Sequence, residues 1–65
     1  MREKTGPKTL VDFSEKPQSK RFLKLAHQTL STGNTRSALQ NLKFALSMDS
    51  DNEDIAAKIA ELEAS

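Results

Sequence analysis

The sequence predicts an all-α fold: an antiparallel helix–turn–helix hairpin, a third C-terminal helix, and a flexible N-terminal arm. Three observations lead there. Phe22, Leu25, Ala26 and Thr29 recur at i, i+3, i+4 and i+7, the period of one helix face. Ala38, Leu39, Leu42, Ala45 and Leu46 repeat the rhythm, and Ile55, Ile59 and Leu62 repeat it again. Between the first two stripes, Ser31-Thr32-Gly33-Asn34-Thr35 holds a glycine able to take positive φ after a helix end and an Asn or Thr able to cap the next helix. A connection this short makes the two helices antiparallel neighbours.

Taken in order, residues 1–13 show no helical period and contain Gly6 and Pro7 among alternating charges, so they read as a flexible arm ahead of a module over 14–65. Leu10-Val11-Asp12-Phe13 is the arm's apolar cluster. It either covers one end of the hairpin or serves as a docking motif. The first helix is expected to begin between Ser14 and Ser19, with Ser14 as N-cap candidate and Pro17 tolerated in the first turn. It should end near Ser31. Besides its inner face it carries a second stripe of Lys20, Leu23, Lys24, His27, Leu30 and Ser31, spaced by threes and fours. The second helix should span Thr35 to Met48. Phe44 and Met48 lie away from its Ala38 and Leu42 side, so they require a cover, either the third helix or a second copy of the chain. The third helix is expected over Asn52 to Ala64, opened by a capping box in Ser50-Asp51-Asn52-Glu53.

Composition narrows the function. A chain of 65 residues has a thin core and usually gains from a disulfide, a metal or a partner. There is no cysteine, which removes disulfides, thiolate zinc sites and thiol redox chemistry and fits an intracellular, cytoplasmic protein. Neither a membrane-spanning run nor a secretory signal is expected. The net charge of +1 conceals an asymmetry: residues 1–43 carry nine Lys/Arg against three Asp/Glu, and residues 44–65 carry one Lys against six Asp/Glu. The first part is therefore at +6 and the second at −5. Acidic surface can neutralise basic surface within one molecule or between two.

The hairpin resembles a tetratricopeptide repeat. Phe22-x-x-Leu25-Ala26-x-x-Thr29 stands where that family has its aromatic, leucine, small residue and tyrosine, and Ala38-x-x-x-Leu42 with Ala45 stands at its second-helix positions. The match covers Ser19 to Asn52, one repeat of 34 residues, and departs at Thr29 and at Ser50, where the family has tyrosine and proline. The resemblance implies that the third helix is a capping helix. It also implies that the stripe of Lys20, Leu23, Lys24, His27, Leu30 and Ser31 lines a concave groove for a partner peptide, here one with acidic and apolar residues. The Asn and Lys pattern with which chaperone-binding members grip a C-terminal carboxylate is not reproduced, since Leu23 and His27 occupy two of those places. One repeat with one cap is shorter than the usual stack of three or so, which favours self-association through Phe44 and Met48.

Catalysis is not expected. His27 is the single histidine, no serine sits in a nucleophile elbow, and Gly6 and Gly33 are isolated, so there is no phosphate loop. The run Asp49-x-Asp51-x-Glu53 lacks the glycine and terminal glutamate of a calcium loop. No cofactor or metal is expected. The sequence points to a protein–protein interaction module, a small adaptor or assembly factor that can self-associate. The alternative is a small basic helical nucleic-acid-binding or regulatory protein, a reading weakened by a second helix whose only cations are Arg36 and Lys43 among apolar residues.

Overall fold

The computed structural model describes residues 9–64. Among these the chain is all-helical: a 3-10 turn at Leu10–Phe13, then α1 (Pro17–Ser31), α2 (Thr35–Met48) and α3 (Glu53–Ala64). The turn packs on α1, and α1 and α3 both pack on α2.

Each helix boundary has a local cause. Lys16, held extended at φ −77° and ψ 127°, precedes Pro17 at the first helical position; a residue before proline is driven out of the helical region. Ser14 was expected as the cap and is not. Its hydroxyl accepts from the Lys16 N–H at 3.1 Å and donates to the Asp49 carboxylate at 2.8 Å, so it braces the entry to α1 from outside the helix. At the other end Gly33 takes φ +86°. The Asn34 N–H reaches the Thr29 carbonyl at 2.8 Å and the Gly33 N–H the Leu30 carbonyl at 3.0 Å, the paired bonds of a Schellman end. Asn34 then caps α2, its side chain accepting from the Ser37 N–H at 3.2 Å. One residue closes one helix and opens the next, which is why the hairpin needs so short a connection.

The core comprises Leu10, Leu23, Ala26, Leu42, Ala45 and Ile55, with Phe13, Phe22, Leu30, Leu46, Ile59 and Leu62 partly buried against it. Ala38 is fully buried as well. Alanines on α1 and α2 let the helices approach closely enough for the buried Ser19 hydroxyl to donate to the Ala45 carbonyl at 2.9 Å. That bond satisfies a polar group that would otherwise be costly inside the core. Replacing Ala38 by leucine should therefore overpack the hairpin and lower stability by about 1–3 kcal/mol. A urea midpoint equal to the parent's would contradict this close contact.

Three expectations are corrected. Leu23, placed by spacing on the partner stripe, is fully buried, whereas Leu25, placed on the inner face, is 42% exposed. The buried arc of α1 runs through Ser19, Leu23 and Ala26. It is rotated from the expected face because Leu10 from the turn and Ile55 from α3 join Leu23 in one cluster. Second, the arm does not extend to Phe13: Leu10–Phe13 is a 3-10 turn with Leu10 in the core, and the expected arm's residues 1–8 lie outside the described ones. Third, of the two covers considered for Phe44 and Met48, α3 is not the one: they remain 53% and 41% exposed. Leu46, which packs toward the core, is two residues from Phe44 and so faces the opposite side of α2.

Candidate interaction surfaces

Two surfaces and one polar junction stand out. The first surface is a shallow open groove of about 350 Å³ lined by Val11, Pro17, Lys20, Arg21 and Lys24. Val11 reaches it because the 3-10 turn folds back on α1, and Pro17 because it opens that helix. Lys20, Arg21 and Lys24 stand within its first two turns. No acidic residue lies in α1 at all. Among the described residues the ion pairs are Lys16 with Asp49 at 3.3 Å, Lys43 with Glu63 at 3.2 Å and Lys58 with Glu61 at 3.4 Å, so the groove's three cations have no acidic partner.

The groove gathers some of the predicted partner residues and not others. Lys20 and Lys24 line it. His27 and Ser31 are exposed further along α1, with the Ser31 hydroxyl bonded back to the His27 carbonyl at 2.9 Å. Leu30 is partly buried against the core, and Leu23 is wholly buried and has no surface to offer a partner. The expected apolar anchors are thus replaced by Val11 and Pro17. Arg21 escaped the spacing rule because it adjoins Lys20 instead of following it by three or four.

The second surface is an exposed apolar strip. Phe44, 53% exposed, lies against the partly buried Phe22 with ring centroids 5.3 Å apart and planes tilted by 33°, joining α2 to α1. Leu25 and Met48, each more than two-fifths exposed, extend it.

The junction ties the two ends of the module together. Asn52 donates to the Phe13 carbonyl at 2.6 Å and to Asp49 at 3.0 Å, and its oxygen caps α3 by accepting from the Ile55 N–H at 3.0 Å. The cap expected from the Ser50 box is therefore supplied by Asn52. Asp49 also accepts from Ser14 and pairs with Lys16. The Asn52 amide, then the Ser14 hydroxyl, with Lys16 adding to them, hold the Asp49 carboxyl below its ordinary value. Because the folded value is lowered, this contribution is present above the ordinary carboxylate range and is lost as pH falls through that range toward the lowered value. Asp49→Asn should accordingly weaken the fold at neutral pH and lose that disadvantage in acid. Urea midpoints of parent and variant measured across that range test it, and a gap that stays constant would be the contrary result.

Among the described residues no three His, Cys, Asp or Glu side chains gather as a metal would require, and no helix is long and apolar enough to cross a membrane. No family model, curated protein or solved structure matches the chain.

Proposed function

We propose that this chain is a non-catalytic helical protein-interaction module, an adaptor or assembly piece, whose basic groove on α1 receives an acidic segment carrying a small apolar side chain. The observation that carries the reading is the groove itself: three cations that find no acidic partner among the described residues, set around the apolar floor of Val11 and Pro17. Charge draws the partner in and discriminates against basic competitors, and the floor rewards an apolar residue among its acids. The buried Ala26, Ala38 and Ala45 at helix contacts support the tetratricopeptide-like reading of the hairpin. The cysteine-free composition suits a cytoplasmic setting.

Nucleic acid is the rival partner, and the groove favours it less. Among the described residues no aromatic side chain lines it for base stacking, and on α2 Lys43 is already paired with Glu63. The test is fluorescence anisotropy with two probes, an acidic peptide containing valine or leucine and a single-stranded oligonucleotide of similar charge. The peptide should bind with salt-sensitive affinity, and Lys20→Glu with Lys24→Glu should weaken it about tenfold or more while helicity stays unchanged. Peptide binding that survives the double substitution moves the site elsewhere. Tighter binding of the oligonucleotide gives the function to the rival.

A further inference from the structure

We infer that the Phe22–Phe44 face of the hairpin is a twofold interface that docks a second copy of this chain. The charge pattern leads to this occupant. Side chains three and four positions from a helical residue are its surface neighbours. Around Phe22 these are Gln18, Ser19, Leu25 and Ala26, and around Phe44 they are Gln40, Asn41, Ser47 and Met48. None is charged, in a chain where charged residues make up 29%. Depletion of charge around exposed aromatic and Met side chains is the composition of an interface core.

Neutrality also selects the partner. In a twofold contact the same patch meets itself, so any charge near the axis would face its own copy. The basic side of α1 and the acidic α3 are both unsuited to such pairing. The Phe22–Phe44 face has no charge to oppose it, while apolar Leu25, Phe44 and Met48 stand 42%, 53% and 41% exposed. Nothing else in the described chain takes the place: α3 packs on α2 but leaves Phe44 and Met48 exposed, and the 3-10 turn packs on α1. Two helices side by side, each about 20 Å long, offer a footprint about 20 Å square. That is the scale of a weak, reversible homodimer, below about 1,200 Å² buried in total. Lys20 and Phe22 are two residues apart and so point to opposite sides of α1, which leaves the basic groove of each copy open. This extends the interaction-module reading from a foreign segment to a second copy, and the two can fail separately.

The experiment is sedimentation equilibrium on the full chain from low micromolar to several hundred micromolar, at physiological salt and at about 0.5 M salt. The expected result is a monomer–dimer equilibrium indifferent to salt, with a melting temperature that rises with protein concentration. Phe44→Glu and, separately, Met48→Lys should raise the dimer dissociation constant about tenfold or more while leaving acidic-peptide binding in the groove intact. Because the chain has no cysteine, Ser47→Cys should cross-link under mild oxidation and Ala57→Cys, exposed on α3, should not; this reading holds even if Phe44→Glu does not fold. A monomer at every concentration overturns the interface. So does association that salt dissolves, which would assign the contact to the oppositely charged helices, and so does a dimer that survives both Phe44→Glu and Met48→Lys. If the dimer persists but the peptide does not bind, the groove reading fails and the interface stands.

Discussion

Leu23→Ala should leave the chain largely unfolded at room temperature. The side chain is fully buried among Leu10, Ala26, Leu42, Ala45 and Ile55, so truncation loses its transfer free energy and leaves a cavity, together about 2–5 kcal/mol. A domain holds roughly 0.05–0.15 kcal/mol per residue, and for a chain this short the loss is comparable with the whole. The matched control is Leu25→Ala on the same helix. At 42% exposure it gives up only part of its burial and should cost about 1 kcal/mol. Urea unfolding followed by circular dichroism separates the two variants. A Leu23→Ala protein that melts like the parent but binds peptide poorly would return Leu23 to the groove and invert the assignment of the α1 faces.

Those faces show where the sequence was legible and where it was not. Period and punctuation were readable because their causes are local: the i, i+3, i+4 spacing of three apolar stripes, Gly33 ending α1 in a Schellman geometry, Asn34 capping α2. The rotational phase of α1 was not, because the helix carries apolar residues on two overlapping arcs. Phe22 and Leu25 lie on one, Leu23 and Leu30 on the other, and Ala26 belongs to both. What decides between them is distant in sequence, namely the core cluster that Leu23 shares with Leu10, Leu42, Ala45 and Ile55. The turn at Leu10–Phe13 is four residues long, too short for any period to register. The groove inherits both difficulties. Lys20 and Lys24 could be found by spacing, but Val11 arrives through that turn, and Arg21 lies beside Lys20 where a spacing of three or four does not look.

Asn52→Ala should be the most damaging change at a polar residue, lowering stability by about 2–3 kcal/mol. Sequence alone marks Asn52 as one member of a capping box, but its amide reaches the Phe13 carbonyl, 39 residues away in the chain. Alanine removes the cap on the Ile55 N–H, the donor to Phe13 and the donor to Asp49 together. Losing an N-cap costs about 0.5–2 kcal/mol, and a part-buried carbonyl left without its donor adds about 1–3 kcal/mol. The total falls short of the sum because groups in one network do not act independently. The loss concentrates at the start of α3, where Ile55 is that helix's only fully buried residue and α2 is its main support. Hydrogen exchange should therefore rise first at the Ile55 N–H, which loses its acceptor, and next at the Ala56 N–H, bonded to the Asn52 carbonyl at 3.2 Å. Asn52→Asp distinguishes the cap from the junction. Aspartate caps a helix as well as asparagine does, but it cannot donate to Phe13 and sets a second carboxylate beside Asp49, so at neutral pH it should be destabilised nearly as much as the alanine variant. An Asn52→Asp protein as stable as the parent would show that the cap alone matters and that the bond to Phe13 contributes nothing.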